Sequence, residues 1–285
     1  MSTLVPPLFA GLVDDAAVFP PGNATLDEAV TAHRLHRASW YAAFVGPLLV
    51  PASAIGELID AVGAGEPLTI GVIGDTGVAG LPAAVAQARS GGLTVRQVEV
   101  AVAKRGEDPQ PGLATLRELA AAESDLDVYA EIPLTGGLLA ALDTVAGHRA
   151  AAARIAPKFR TGGLAAELFP TPVELAAVIS ACHDRELPFK LTAGLHHALR
   201  HTDPETGFTH HGFLNVLVAT MSAVDGAEVA EIAEALAVTH PMPLVEPARA
   251  RRDGARPLWV GFGSCSVPEP LADLVRFGLI NGGFE

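Results

Sequence analysis

Short runs of apolar and β-branched residues alternate along the chain with longer segments of helical periodicity. Eight of the short runs predict β-strands, at residues 8–16, 42–51, 68–74, 95–102, 126–133, 152–160, 188–194 and 258–265. Between them, TLDE (25–28), TPVE (171–174) and SVPE (266–269) each fit a capping box, in which a glutamate side chain binds back to the cap residue. Strand–helix alternation repeated eight times over 285 residues predicts an α/β fold of the (β/α)8 TIM barrel class. An open, doubly wound sheet is the competing architecture, because a count of strands does not establish closure.

The stretch between the seventh and eighth strands is too long for one connecting helix. Residues 198–257 are therefore interpreted as an insertion within a single barrel domain that spans residues 1–285. This insertion is a candidate lid over the site. It ends in the basic segment 248–256, which we interpret as exposed surface.

Composition and charge argue against several classes of binding partner. A net charge of −13 argues against nucleic acid and anionic membrane surfaces. Two cysteines, Cys182 and Cys265, imply no disulfide framework. Residues 1–21 lack the basic start of a signal peptide, and no apolar run reaches the roughly 18 residues of a membrane helix. We expect a cytoplasmic protein that acts on a small molecule, with formation of a homo-oligomer left open.

The predicted strands direct several charged side chains toward the barrel interior. Because side chains alternate between the two faces of a strand, the apolar positions of the fourth to seventh strands face the helices and the charged ones face inward. The inward-facing residues near the strand ends are Glu99, Glu131, Lys158, Arg160 and Lys190. The same alternation places Arg154 inside. Unpaired buried charges cost several kcal/mol each, so a salt-bridge layer that fills the barrel mouth competes with an active site.

Two of these residues are lysines on neighbouring strands. Desolvation and a nearby cation both lower the pKa of a lysine, and Lys158 has Lys190 and Arg160 as predicted cationic neighbours. We therefore expect Lys158 to be a neutral amine that attacks a carbonyl group and forms a Schiff base. Glu99 and Glu131 would then transfer protons.

Three short motifs follow the predicted strands six, seven and eight. KFRTGG (158–163), KLTAGLHH (190–197) and GFGSCS (261–266) resemble, in this order, motifs of the deoxyribose-phosphate aldolase group of class I aldolases. The resemblance implies a lyase in which Lys158 forms the Schiff base, Lys190 lowers its pKa and Glu99 is the acidic helper. Such an enzyme breaks or forms a carbon–carbon bond and needs no cofactor.

The motifs also supply candidate substrate-binding residues. They are Arg160, Thr161, Thr192, His196, His197, Gly263, Ser264 and Ser266. In the eighth-strand motif, backbone N–H groups at the following helix start favour an anion. Arg160 replaces a small residue of the family motif, and its guanidinium suits a carboxylate. A small anionic carbonyl compound is therefore the expected substrate.

Half of the histidines cluster after the seventh strand. They are His196, His197, His201, His210 and His211. An alternative site would use His196, His197 and His211 with acidic residues such as Asp14 or Asp15 to bind Zn²⁺ or Mn²⁺, in a metal-dependent lyase or hydrolase. A third interpretation is a non-catalytic barrel that binds a small anion.

Overall fold

The computed structural model describes residues 5–63 and 67–282. Eight parallel strands close into a barrel in the order β1-β10-β7-β6-β5-β4-β3-β2, which confirms the predicted (β/α)8 architecture. The barrel strands are β1 (Val13–Asp15), β2 (Val45–Pro51), β3 (Thr69–Ile73), β4 (Thr94–Ala101), β5 (Asp127–Glu131), β6 (Ile155–Arg160), β7 (Phe189–Thr192) and β10 (Trp259–Ser264).

Ten α-helices are described. They are α1 (Leu26–Ala38), α2 (Ile55–Val62), α3 (Leu81–Ser90), α4 (Gln110–Ala122), α5 (Leu138–Ala150), α6 (Pro172–His183), α7 (Phe213–Val224), α8 (Val229–Ala237), α9 (Met242–Ala250) and α10 (Pro268–Arg276). No helix in the described ranges is both long enough and apolar enough to cross a membrane.

Two of the three predicted capping boxes are confirmed. Thr25 caps α1 and Thr171 caps α6, each with the reciprocal glutamate contact. At α10 the prediction is wrong in part. Ser266 Oγ accepts the backbone N–H of Glu269 at 3.3 Å, but the Glu269 carboxylate contacts His196 instead of returning to the cap.

The first strand is shorter than predicted. Residues 8–16 were expected to be extended, but Pro7–Phe9 form a 3-10 turn and only Val13–Asp15 pair with the neighbouring strands. Proline at the start of the turn has the φ that a 3-10 helix needs, and this favours the turn over an extended strand.

The insertion between β7 and β10 has two parts. A short antiparallel hairpin, β8 (His201–Thr202) and β9 (Thr209–His210), lies next to the loops that follow β6 and β7. The three helices α7, α8 and α9 continue the outer layer, since α8 packs against α6 and α7, and α9 packs against α7. The hairpin is therefore the part of 198–257 that lies near the carboxyl ends of β6 and β7.

Arg256 joins the 3-10 turn before β1 to the start of β10, at the opposite end of the barrel. Its guanidinium donates to the carbonyls of Leu8 at 2.7 Å and Ala10 at 3.1 Å, and to those of Trp259 at 2.7 Å and Val260 at 2.6 Å. Burial lowers the pKa of Arg256 to about 10. The interpretation of 248–256 as exposed surface is therefore wrong at this residue.

Alternation of strand faces holds for the fourth strand and fails at the start of the sixth. Val98 and Val100 are buried in the apolar layer, while Gln97 and Glu99 contact polar side chains inside the barrel. Arg154 was predicted to face inward, but it lies one residue before β6 and pairs with Asp127 at the surface.

Candidate active site

We call the end of the barrel at which its strands have their carboxyl ends the mouth. Seven polar side chains meet inside the barrel toward this end. They are Asp14 on β1, Gln97 and Glu99 on β4, Tyr129 and Glu131 on β5, Lys158 on β6 and Lys190 on β7. Strand register brings them together, because Lys158 is level with Glu131 on one side and with Lys190 on the other. We call this group the lysine network.

Lys158 is held between two carboxylates. Its Nζ lies 2.8 Å from Glu99 Oε2 and 2.9 Å from Glu131 Oε2. The residue is 4% exposed, so it has little contact with bulk water. An amine in this position exchanges protons directly with either acid.

Lys190 lies deeper and contacts the other oxygen of the same glutamate. Its Nζ is 2.5 Å from Glu99 Oε1, also contacts Asp14 Oδ2, and lies 4.7 Å from the centre of the Tyr129 ring. Glu99 therefore bridges the two lysines.

Gln97 and a glycine fix the acidic side of the network. The Gln97 amide donates to Asp14 Oδ2 at 2.7 Å and to Glu99 Oε1 at 2.8 Å. Gly46 on β2 leaves room for the Asp14 carboxylate, because a Cβ at this position would lie 1.8 Å from Asp14 Oδ1. The orientation of Asp14 thus requires a glycine at position 46 on the neighbouring strand.

Burial and ion pairing act in opposite directions on the pKa values of the network. For Lys158 and Lys190, burial lowers the pKa, but the adjacent carboxylates outweigh burial and raise it above the usual value. For Glu99 and Glu131, burial raises the pKa, but the adjacent cations outweigh it and lower the pKa. Burial dominates at Asp14 and raises its pKa, with a smaller contribution from Glu99.

The expected lowering of the Lys158 pKa is therefore wrong for the protein without substrate. Lys190 and Arg160 were the neighbours expected for Lys158. In the structure Glu99 and Glu131 are its direct contacts, and their negative charge favours the ammonium form. A reaction at Lys158 must begin with transfer of its proton to an acceptor.

Arg160 connects the network to a cavity. Its Nε lies 3.2 Å from Glu131 Oε1, and its side chain is 43% exposed. Arg160 and Glu131 line a cavity of about 320 Å³. Its lining also includes the charged Lys104, Arg105, Glu167 and Glu174 and apolar side chains such as Leu168. Glu131 thus contacts both the cavity and Lys158.

The two predicted threonines lie on either side of the junction between β6 and β7. Thr161 is buried, and its hydroxyl donates to the Ala193 carbonyl at 2.6 Å, so it ties the two strand ends together. Thr192 is level with Arg160 on β6 and with Gly263 on β10. Thr161 therefore positions the motif loops, whereas Thr192 is partly exposed at the mouth.

The predicted anion-binding turn lies after β10. Gly263 is level with Asp14, and Ser264 is level with Asp15 on β1. The Ser264 hydroxyl donates to the Ser266 carbonyl at 2.8 Å and accepts the Ser266 N–H at 3.3 Å. The Ser264 hydroxyl therefore forms its hydrogen bonds within the turn, with the backbone of Ser266.

The predicted histidines have separate partners. His196 Nδ1 lies 2.9 Å from Glu269, and His197 Nδ1 lies 3.7 Å from Asp273. His211 Nε2 lies 2.7 Å from the carbonyl of Pro170, and burial lowers its pKa to about 4.

The histidines do not form a recognisable metal centre. Within residues 5–63 and 67–282, no three His, Cys, Asp or Glu side chains are grouped as metal ligands. Asp15, proposed as a partner, instead contacts His33 on α1 at 3.0 Å.

Comparison with protein-family models and with curated protein sequences gives no match.

Three members of the lysine network were absent from the predicted site. The alternation of strand faces also directs Gln97 and Tyr129 into the barrel, but neither carries a charge that would mark it as a site residue. Asp14 was a candidate metal ligand and was not expected to contact a lysine. Its contact with Lys190 joins residues 176 positions apart, which no local pattern reveals.

Proposed function

We propose that the protein is a lyase of the Schiff-base aldolase type that acts on a small anionic carbonyl compound, with Lys158 as the nucleophile. The observation that carries the proposal is the position of Lys158 beside Glu131, which lines the cavity at the mouth. Lys190 is separated from Lys158 by the shared Glu99, which suits a supporting role. The reaction requires no cofactor.

The substrate would bind with its anionic group at Arg160. A guanidinium forms two parallel hydrogen bonds to a carboxylate, and the Arg160 side chain is half-exposed, with its Nε 3.2 Å from Glu131 Oε1. Lys104 and Arg105 supply further positive charge to the lining of the cavity, to which Glu167 and Glu174 also belong. The carbonyl carbon would then lie toward Lys158.

Proton transfer would begin the reaction. Lys158 passes a proton to Glu131 or Glu99, and the neutral amine attacks the carbonyl carbon to form a carbinolamine. Protonation of the carbinolamine oxygen and loss of water give an iminium ion. The iminium nitrogen carries the positive charge that the ammonium carried, so the same two carboxylates stabilise it.

Carbon–carbon cleavage follows from the iminium. A carboxylate accepts the proton of the substrate β-hydroxyl, the adjacent carbon–carbon bond breaks, and its electron pair enters the iminium to give an enamine. Protonation of the enamine and hydrolysis release the second product and restore Lys158. Glu131 is the candidate base because it faces the cavity.

Borohydride trapping tests this proposal. Pyruvate plus borohydride should leave a reduced adduct on the peptide that contains Lys158, detected by mass spectrometry. Lys158→Met should abolish that adduct, while Lys190→Met should reduce its yield and leave its position unchanged. An adduct confined to surface lysines, or unchanged in total amount by Lys158→Met, would refute the role of Lys158.

A non-catalytic anion-binding barrel is the second candidate. It is favoured by the resting state of the lysines, because the adjacent carboxylates hold Lys158 and Lys190 as ammonium ions and not as nucleophilic amines. Such a protein would bind pyruvate by calorimetry without forming a borohydride-trapped adduct.

A further inference from the structure

The cavity that Arg160 and Glu131 line continues beyond the strand ends into the loops that follow β4, β5 and β6. We call this continuation the outer cavity. Its lining includes the apolar residues Ile132, Pro133, Leu134, Leu168 and Pro170. The reaction scheme for Lys158 assigns no role to these residues.

The charges of the outer cavity are balanced. Lys104 and Arg105 are positive, and Glu167 and Glu174 are negative. Arg105 Nη1 donates to the carbonyl of Glu167 at 3.2 Å, which joins the loop after β4 to the loop after β6. Hydrogen bonds from Thr171 lower the pKa of Glu174, and Arg105 adds to this lowering, so Glu174 is a carboxylate that offsets the charge of Arg105. The outer cavity therefore has no net charge with which to hold a second anionic group.

The apolar wall is held in place by the insertion between β7 and β10. Phe169, between Leu168 and Pro170, stacks on Phe208 of the β8–β9 hairpin with ring centres 4.7 Å apart. His211 Nε2 donates to the Pro170 carbonyl at 2.7 Å. Leu168 and Pro170 are therefore positioned by the protein itself before a ligand binds.

The cavity has room for an apolar group in addition to the reacting atoms. Its volume is about 320 Å³, and an apolar cavity of about 150 Å³ holds a benzene molecule. With a carboxylate at Arg160, space remains for a group of about six carbon atoms. Each CH₂ group that is buried against the wall should increase affinity about fourfold.

We propose that the substrate of the Lys158 site carries an uncharged apolar group that packs in the outer cavity, and that Leu168 determines how large this group is. The carboxylate and the carbonyl group are placed as in the proposed function, on which this assignment rests. The substrate class is then a 4-hydroxy-2-oxo acid with an apolar group on C4. Cleavage between C3 and C4 releases pyruvate and an apolar aldehyde.

Binding of unreactive carboxylates tests the outer cavity in the full chain. Butyrate, hexanoate and adipate have no ketone or aldehyde group with which Lys158 reacts. Isothermal titration calorimetry should give a Kd at least about tenfold lower for hexanoate than for butyrate. Adipate is as long as hexanoate but ends in a second carboxylate, and it should bind at least about tenfold more weakly than hexanoate.

Variants of Leu168 locate the apolar group. Leu168→Ala should raise the Kd of hexanoate at least about fivefold. Leu164→Ala is the matched control, because this leucine of the same loop is 96% exposed and does not line the cavity, and it should leave the Kd unchanged. Leu168→Phe fills the cavity and should weaken hexanoate binding more than butyrate binding.

Three results would overturn the proposal. They are equal Kd values for butyrate and hexanoate, equal values for hexanoate and adipate, and equal effects of Leu168→Ala and Leu164→Ala. If circular dichroism shows that Leu168→Ala is unfolded, Leu134→Ala is compared with Leu139→Ala, whose leucine is exposed on α5.

The titrations also separate this proposal from the Schiff-base reaction, because they include no covalent step. Tight binding of hexanoate without a borohydride-trapped adduct at Lys158 would refute the reaction and leave the apolar site intact. Trapping of pyruvate at Lys158 with equal binding of butyrate and hexanoate would do the reverse.

Discussion

Lys158 and Lys190 lie level with each other on adjacent strands, and the two oxygens of Glu99 bind one ammonium group each. The pair is therefore held together by an acid between the two amines. This relationship makes the lysines cations in the resting protein and makes Glu99 the residue on which both depend.

Replacing Glu99 with glutamine should destabilise the fold. The substitution keeps the shape but leaves two buried ammonium groups with one acidic partner fewer each, and breaking a buried ion pair costs about 3 kcal/mol or more. Urea denaturation followed by circular dichroism should show the lower midpoint. Glu118→Gln, on the exposed face of α4, is the control and should change nothing. Equal midpoints for the two variants would show that the network is energetically neutral.

Stability should fall on acidification. The pKa of Glu131 and that of Glu99 are lower in the folded protein, so their contribution is complete above the unfolded value of about 4.3 and disappears as the pH falls through the folded values. Asp14 acts in the opposite sense, because its raised pKa makes its ionisation unfavourable in the fold, and it offsets part of the loss. The free energy of unfolding, measured in urea from pH 6 to pH 3, should decline.

The same pH series in Glu131→Gln isolates one carboxylate. Its curve should be shallower than that of the wild type, since glutamine does not titrate. Parallel curves would indicate that other acids determine the pH dependence.

Arg160 should determine affinity for the anionic part of the substrate. In Arg160→Met, the pyruvate concentration that gives half-maximal borohydride trapping should rise about tenfold or more, as expected when about 1.4 kcal/mol of binding is lost. Pyruvamide, which lacks the charge, should be trapped equally by both proteins. Arg154→Met is the control, because that arginine precedes β6 and pairs with Asp127 at the surface. An unchanged pyruvate dependence would place the anion elsewhere.

Arg256→Lys should destabilise the barrel without altering trapping at Lys158. An ammonium group cannot donate to the four carbonyls within 3.1 Å that the guanidinium reaches, and hydrogen bonds from a charged group contribute about 1.5–3 kcal/mol each. A loss of about 3 kcal/mol in urea denaturation is expected. Arg251→Lys, at an exposed position, should be neutral. Equal stability of both variants would mean that lysine or water replaces these contacts.

The sequence predicted the fold well because the barrel repeats one local pattern. All eight predicted barrel strands are present, and alternation assigned Glu99, Glu131, Lys158 and Lys190 to the interior. It failed at Arg154, because the strand was predicted to begin at residue 152 whereas β6 begins at Ile155, and the alternation applies only within the strand. Strand ends depend on pairing between chain segments, which a local pattern does not contain.

The charge state of the site could not be predicted in the same way. The side chains that meet in the site could be predicted from the sequence, but the distances between them could not. The pKa of Lys158 depends on which charged groups are in direct contact with its amine. The role of Arg256 could not be predicted from the sequence for the same reason. Some of the carbonyls that it binds belong to a segment about 250 residues earlier in the chain.

The Arg256 contacts also affect when the barrel can close during synthesis of the chain. The carbonyl of Leu8 binds a side chain 248 positions later, so the barrel cannot close until the chain has been synthesised through Arg256 and β10. Until then the edges of β1 and β7 lack β10, which pairs with both in the finished fold. Unpaired strand edges are sites of aggregation, and nascent chains of this protein should therefore depend on chaperones until β10 has emerged from the ribosome.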